Sequence, residues 1–144
     1  MTQLSPANAE LLREAFLQCR DMEGTLSERL EAYAAAGREI FPAYGDAVDR
    51  LVARIEENGG GDSAPRPGDV MPPFMLPDDS GKLVTLNSLT AKGPVAVMFY
   101  RGHWCPYCRL NVRAVIEAMD RIGAVGAQVV AIMAEMQEYA EKVK

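Results

Sequence analysis

The chain has 144 residues and a formal charge of −5, with 49% apolar and 24% charged residues. This composition is typical of one globular domain with an ordinary core and room for a small appendage. The acidic balance and the lack of clustered Lys or Arg argue against nucleic-acid binding, and the longest apolar run, residues 95–100, is far shorter than a membrane span of ~20 residues.

The first 57 residues carry the apolar periodicity of helices. Ser5 followed by Pro6 is typical of a helix start, because serine caps the first turn and proline fits its first position. The tetrapeptide Thr25–Glu28 is a capping-box pattern that predicts a second helix, and a third apolar stripe covers residues 44–55. We therefore predict an all-helical extension over residues 1–57, which either packs against the rest of the chain or serves as a dimerisation element.

A segment rich in glycine and proline, NGGGDSAPRPGD at residues 58–69, follows the helices. This composition cannot sustain a helix or a central strand, so we interpret it as a linker. Two short apolar runs around a Pro/Asp/Gly turn in residues 74–86 predict a β-hairpin, and residues 86–94 predict a short helical turn.

The remaining chain alternates strand and helix patterns. Residues 95–100 and 127–134 are apolar runs typical of buried strands, the first of them buried on both faces. A core-facing helical pattern lies between them, starts at Cys108 and ends at Gly123, and a further helix is predicted from Glu135 onward. Strand, helix and strand in this order predict a right-handed βαβ unit with parallel strands.

Two of the three cysteines, Cys105 and Cys108, lie where the first strand ends and the helix begins. Unpaired N–H groups at a helix N-terminus stabilise a thiolate, and can lower a thiol pKa from ~8.5 to ~3.5–7.5. Cys108 begins the apolar stripe, so we predict that it is the more buried of the two, keeps the higher pKa and acts as the resolving thiol. Pro106 fits the first helical turn, and Arg101 would favour the thiolate if its side chain points inward.

Other interpretations of these residues are open. Cys19 lies on an apolar helix stripe and is typical of an inert core residue. The cysteine pair is half of a tetrahedral zinc site, but the sequence offers no convincing second half, so we predict no metal. His103, the only histidine, either lines the turn or acts as a base that tunes the thiol, and Trp104 is either a core residue or a shield on one side of the site.

The motif WCPYC, which follows a strand and opens a helix, resembles the thioredoxin superfamily, and the Pro106-Tyr107 pair between the cysteines is similar to the glutaredoxin form. The approach to the motif over residues 65–89 resembles the redoxin group, the peroxiredoxin-like branch that includes the alkyl hydroperoxide reductase/thiol-specific antioxidant family. In that family a G-D-x-x-P-x-F-x-L-x-D-x-x-G-K hairpin precedes the core strand. The corresponding residues are Gly68, Asp69, Pro73, Phe74, Leu76, Asp78, Gly81 and Lys82, with slight shifts in spacing.

The chain departs from the family pattern in two ways. Peroxiredoxins carry a Pro-x-x-x-Thr-x-x-Cys signature. In this alignment Cys108 matches the peroxidatic cysteine, while Cys105 stands in place of the threonine and Arg101 in place of the proline. The threonine that positions the peroxide is therefore missing. A thioredoxin alignment instead makes Cys105 the attacking thiol. The chain also stops at Lys144, before the second half of the superfamily fold, so the resemblance implies either a fragment of a longer protein or a sheet completed by a second copy.

We therefore predict an α/β fold, with a thioredoxin-like βαβ half-fold and its N-terminal hairpin over residues 70–144, incomplete at the C-terminus, after the all-helical extension. The resemblance implies an oxidoreductase that reduces peroxides through a Cys105/Cys108 disulfide cycle. It needs no cofactor beyond an external thiol reductant such as thioredoxin or glutathione. The alternatives are a thiol–disulfide oxidoreductase and a zinc-binding or helical dimerisation module. The start of the chain lacks a signal-peptide pattern, which favours the cytoplasm, and exposed sheet edges favour a homo-oligomer, such as a dimer.

Overall fold

The computed structural model describes residues 4–135. The chain forms two compact units, residues 1–71 and residues 72–144. The first unit is helical and the second combines strands with helices, which confirms the predicted α/β class with its helical N-terminal part. Within residues 4–135, none of the helices has the length and apolarity that a membrane crossing requires.

Three helices form the first unit, and their starts follow from local capping chemistry. The Ser5 hydroxyl accepts a hydrogen bond from the Asn8 N–H. Thr25 and Glu28 form the predicted capping box, in which each side chain accepts a hydrogen bond from the other residue's backbone N–H. The helices are α1 (Pro6–Asp21), α2 (Leu26–Ile40) and α3 (Pro42–Glu57).

Side chains join these helices in pairs. The buried rings of Phe16 and Tyr33 meet edge to face with their centroids 6.2 Å apart, which packs α1 on α2. The Arg38 guanidinium donates two hydrogen bonds, of 2.7 and 2.8 Å, to the Asp49 carboxylate and so joins α2 to α3.

The second unit begins with the predicted hairpin, in which β1 (Met75–Pro77) and β2 (Leu83–Thr85) pair antiparallel. The short helix α4 (Leu86–Thr90) follows directly, with the Thr85 hydroxyl as its cap. Next come β3 (Val95–Tyr100), α5 (Pro106–Ala124) and β4 (Gln128–Met133). β3 and β4 are parallel neighbours joined by the α5 crossover, so the predicted βαβ unit is present.

Two expectations for this unit are wrong in detail. α5 does not end at Gly123 but continues to Ala124, because Gly126, at φ 68°, supplies the left-handed residue that closes the helix. β3 is not buried on both faces, since 73% of the Phe99 side chain is exposed. Within the described part of the chain β3 pairs only with β4, which leaves its other edge unpaired. The helix predicted from Glu135 onward lies, after that first residue, outside the described residues.

Candidate active site

The parallel strands bring their carboxyl ends to the same edge of the sheet. Tyr100, the last residue of β3, is in register with Met133, the last residue of β4. The chain then turns, and the Cys105 N–H donates to the Gly102 carbonyl at 3.0 Å. α5 begins at the next residue. In α/β sheets this edge is where ligands and reactive groups gather, so the cysteine motif lies at the position best suited to chemistry.

Gly102 is required by the shape of this turn. Its φ of 153° lies in a region that residues with a Cβ rarely adopt. A Cβ at this position would overlap the Trp104 indole nitrogen and lie 2.8 Å from a Glu135 carboxylate oxygen. The turn can therefore close tightly between these two side chains only because residue 102 has none.

Cys105 and Cys108 are free thiols in contact with each other. Cys105 is the N-cap residue of α5, and its sulfur accepts a hydrogen bond from the Cys108 N–H at 3.3 Å. Both sulfurs pack with Tyr100 in one buried cluster, lined by Tyr107, Val112 and Met133. Cys105 is 0% exposed and Cys108 is 8% exposed, so the prediction that Cys108 is the more buried thiol is wrong. The reason is that the Cys105 side chain folds back as the helix cap, toward the sheet, instead of pointing to solvent.

Arg101 contacts both sulfurs. Its Nη2 donates to Cys105 Sγ at 3.1 Å, and its backbone N–H donates to Cys108 Sγ at 3.4 Å. The guanidinium also lies over the Trp104 ring, 5.7 Å from the centroid, which is a cation–π distance. The Arg101 side chain therefore points toward the thiols, which was the condition set for it from the sequence. A fixed positive charge of this kind favours a thiolate.

The two thiols differ in their tendency to ionise. Burial raises the pKa of Cys105, and the hydrogen bond between the two thiols adds to this effect. Burial also acts to raise the pKa of Cys108, but the hydrogen bonds that its sulfur accepts from Cys105 and Arg101 outweigh burial, so the pKa of Cys108 lies below its ordinary value. The expectation that Cys108 keeps the higher pKa is therefore wrong. Because the sulfurs interact, the pair keeps one proton between its two sulfurs after the first ionisation. The resulting negative charge is best accommodated on Cys108.

The other residues of the motif take simple positions around the thiols. Pro106 is the first residue of α5, as predicted. Tyr107 is half-buried against the cysteine cluster. Trp104 is 62% exposed, which rules out a core role, and it meets the site through its stacking on Arg101.

His103 is joined to Glu135, a residue that sequence reasoning missed. The His103 backbone N–H donates to Glu135 Oε2 at 2.8 Å, and its ring Nδ1 lies 2.7 Å from Glu135 Oε1. The signal lies in the strand register: because Tyr100 pairs with Met133, Glu135, two positions past β4, comes level with Gly102, the residue that precedes His103. The strand pattern alone gives no register, so this pairing could not be read from the sequence.

The described residues give no support to a metal centre. Within residues 4–135, no three His, Cys, Asp or Glu side chains cluster in a way that could hold a metal ion. Cys19 is buried in α1 of the helical unit, where burial raises the pKa of its thiol, as for an inert core cysteine.

Comparisons with known proteins point to one family. The family model described as the AhpC/TSA family matches residues 67–144. The chain is 34% identical over 71 residues to Peroxiredoxin Q, chloroplastic, from Sedum lineare. That match covers 49% of this chain and 38% of the relative, so the chain spans well under half of the relative's length. No solved structure matches the chain.

Proposed function

Because the chain belongs to the AhpC/TSA family, we propose that it is a thiol peroxidase of the peroxiredoxin-like type. The observation that carries the proposal is the Arg101 arrangement, in which the guanidinium donates to Cys105 and the backbone N–H donates to Cys108, beside two free thiols. A site built to stabilise negative charge on sulfur is what an attack on a peroxide requires, since the thiolate and not the thiol is the nucleophile.

In the proposed reaction Cys108 attacks first. Its thiolate attacks one peroxide oxygen, a sulfur–oxygen bond forms as the oxygen–oxygen bond breaks, and the leaving alkoxide or hydroxide takes a proton from solvent. The sulfur loses two electrons and becomes a sulfenic acid. Cys105 then attacks that sulfur, its thiol proton and the sulfenic hydroxyl leave as water, and a Cys105–Cys108 disulfide remains. An external dithiol returns two electrons and two protons.

The lowered pKa of Cys108 and the signature alignment support this order of attack. In the Pro-x-x-x-Thr-x-x-Cys pattern Cys108 takes the peroxidatic position and Cys105 takes the place of the threonine hydroxyl. The Cys105 thiol and its neighbour Arg101 offer hydrogen-bond donors where that hydroxyl would stand. Full burial of Cys105 suits the second step, in which its partner is the adjacent sulfur instead of a substrate from solution.

The test separates the two cysteines. We would mix reduced Cys108→Ser, Cys105→Thr and the control Cys19→Ser with hydrogen peroxide, and follow the fluorescence of Trp104, the only tryptophan. Cys108→Ser should lose the reaction, and Cys19→Ser should match the wild type. Cys105→Thr, which restores the signature threonine, should react once and stop as a sulfenic acid that dimedone traps at Cys108.

Two results would contradict the proposal. Rapid oxidation of Cys108→Ser together with an inert Cys105→Thr would make Cys105 the attacking thiol. Wild-type oxidation no faster than that of free dithiothreitol would remove the peroxidase function altogether.

A thiol–disulfide oxidoreductase is the second candidate. It is favoured by the Cys-Pro-Tyr-Cys spacing and by the hydrogen bond between the two thiols, since such pairs exchange readily with a substrate disulfide. This function would be supported if the protein reduced glutathione disulfide or a protein disulfide rapidly but did not react with hydrogen peroxide.

The partners proposed for the peroxidase are a peroxide and a thiol reductant of the thioredoxin or glutathione type, with no cofactor of its own. A homo-oligomer and a cytoplasmic location also stay predictions. Equilibrium sedimentation would settle the first of these, with a dimer expected at twice the 15.7 kDa chain mass.

A further inference from the structure

Glu135 lies where the sheet register brings it beside the cysteine turn. It follows β4 by two residues, as Gly102 follows β3 by two residues, and β3 and β4 are in register up to Tyr100 and Met133. The proximity is direct, since a Cβ on Gly102 would be 2.8 Å from Glu135 Oε1. A residue 32 positions along the chain from His103 thus contributes to the turn that carries Cys105.

The Glu135 carboxylate is engaged at both oxygens. Oε2 accepts the His103 backbone N–H at 2.8 Å, and Oε1 lies 2.7 Å from His103 Nδ1. The Glu135 side chain is only 11% exposed, and that of His103 is 33% exposed. Charge-assisted hydrogen bonds of this length in a site shielded from water are among the stronger ones in proteins. Because Glu135 makes two such contacts with His103, they fix the orientation of His103 as well as its position.

The contacts continue from His103 to the sulfurs. His103 lies inside the turn that the Cys105 N–H closes on the Gly102 carbonyl. Cys105 caps α5 through its sulfur, and Arg101, on the other side of the turn, contacts both sulfurs. A shift of the turn would therefore displace the Arg101 guanidinium relative to the two sulfurs at the start of α5.

Charge alone does not explain a carboxylate at this place. A negative group near the thiols disfavours a thiolate, and the influence of Glu135 reaches as far as Tyr100 in the cysteine cluster. A residue whose charge opposes the chemistry and whose two oxygens both hold the turn is best explained by the geometry that it imposes.

We propose that Glu135 is a positioning residue, which holds the Gly102–Cys105 turn through its two contacts with His103 and so aligns Arg101 with the sulfurs. The proposal rests on the proposed function only in taking a thiolate of the pair as the nucleophile. It assigns no direct contact between Glu135 and the peroxide.

The test compares Glu135→Ala with Glu135→Gln in the full chain. Glutamine keeps an oxygen to accept the His103 N–H and an amide group to meet the ring, whereas alanine removes both contacts. Glu117→Ala is the matched control, because Glu117 pairs with Arg113 on the exposed surface of α5. Each reduced protein is treated with hydrogen peroxide and, separately, with iodoacetamide across a range of pH. Thermal unfolding is recorded so that rates are compared on folded protein.

We expect Glu135→Ala to react about 10–100-fold more slowly than the wild type with both reagents at neutral pH, as a misplaced catalytic geometry does. Its pH profile should also shift to higher pH, because we expect the lost support from Arg101 to outweigh the removal of a negative charge, which on its own would shift the profile to lower pH. Glu135→Gln should recover most of the rate, and Glu117→Ala should match the wild type.

Two outcomes would overturn the proposal. Wild-type rates and profile in Glu135→Ala would show that the turn keeps its shape without Glu135. Glu135→Gln as slow as Glu135→Ala would show that restoring both hydrogen-bonding groups does not restore the rate, which removes the positioning role. Iodoacetamide needs no peroxidase activity, so a wild type that ignores peroxide would refute the proposed function while the alkylation rates still decide the role of Glu135.

Discussion

Arg101 is the residue on which the proposed chemistry depends most directly. Its guanidinium interacts with both sulfurs and its backbone N–H donates to Cys108, and the contact with Cys105 has the largest part in raising the pKa of the arginine itself. A guanidinium stays charged at any working pH and presents donors in a rigid plane, which also stacks on Trp104. The side chain therefore offers a permanent positive charge beside a pair of thiols that carries one negative charge after the first ionisation.

We expect Arg101→Gln to make the first thiol harder to ionise. The wild-type rate with iodoacetamide should rise with pH through the pKa of Cys108 and level off, with its midpoint below the ordinary thiol value because the hydrogen bonds from Cys105 and Arg101 lower that pKa. Without the guanidinium the midpoint should move to higher pH, and each unit of movement lowers the rate at pH 7 by about tenfold. The measurement is the alkylation rate from pH 5 to pH 10.

Arg113→Gln is the control for this experiment, since Arg113 pairs with Glu117 on the exposed side of α5. An unchanged midpoint in Arg101→Gln, or an equal movement in Arg113→Gln, would contradict the role given to Arg101.

The sequence predicted which residues lie together at the candidate site better than it predicted their environments. Spacing and the strand-to-helix junction were enough to single out Cys105, Cys108 and Arg101, because these are local signals. The burial order of the thiols depends on where the Cys105 side chain turns once the helix is capped, and no periodicity contains that information. Glu135 depends on strand register, which is set by packing between segments far apart in the chain.

At the scale of elements, the turn between β3 and α5 is a tightly constrained piece of backbone. Gly102 holds φ at 153° with Trp104 and Glu135 on either side. Those neighbouring atoms belong to side chains that can move, whereas the backbone angle cannot relax without opening the turn. A side chain here would therefore cost backbone strain and disturb the contacts that hold the cysteines.

We expect Gly102→Ala to lower the free energy of unfolding by about 1–3 kcal/mol, the usual cost of an unfavourable backbone angle. The rate with hydrogen peroxide should fall as well. Urea unfolding and the oxidation rate are the two measurements. Gly123→Ala is the matched control, because Gly123 is helical with open space around its Cβ position, and alanine there should stabilise the protein by about 0.5–1 kcal/mol. Equal effects of the two substitutions would show that the turn is not strained.

Element boundaries followed the sequence closely where a local signal fixed them. The capping box at Thr25 and Glu28 and the proline at the start of α5 are examples. The predicted burial of β3 on both faces failed at Phe99 because burial depends on what covers a strand, and the strand's own sequence does not say that. A continuous apolar run therefore predicts that a strand forms more securely than it predicts which elements cover that strand.

At the scale of the whole molecule, the chain divides into two compact units, and an exposed segment lies near the end of the first. Each unit has its own contacts, the Phe16–Tyr33 packing in the first and the cysteine cluster in the second. All of residues 61–70 are exposed, and the segment is rich in glycine and proline. The sequence predicts a linker over residues 58–69 from composition alone, because glycine and proline act on the local backbone regardless of tertiary context.

This arrangement predicts where a protease cuts the native protein first. Exposed segments with small residues reach a protease active site without unfolding, whereas a helix must open before it can be cleaved. Trypsin is a poor probe, since Arg66 precedes Pro67. Endoproteinase Asp-N should cut before Asp62 or Asp69, while Asp49 in α3, paired with Arg38, persists. Mass spectrometry of a time course identifies the first fragments, and the thiol alkylation rate of the nicked protein should equal that of the intact chain. A first cut before Asp49 would mean that α3 opens more readily than the segment that follows it.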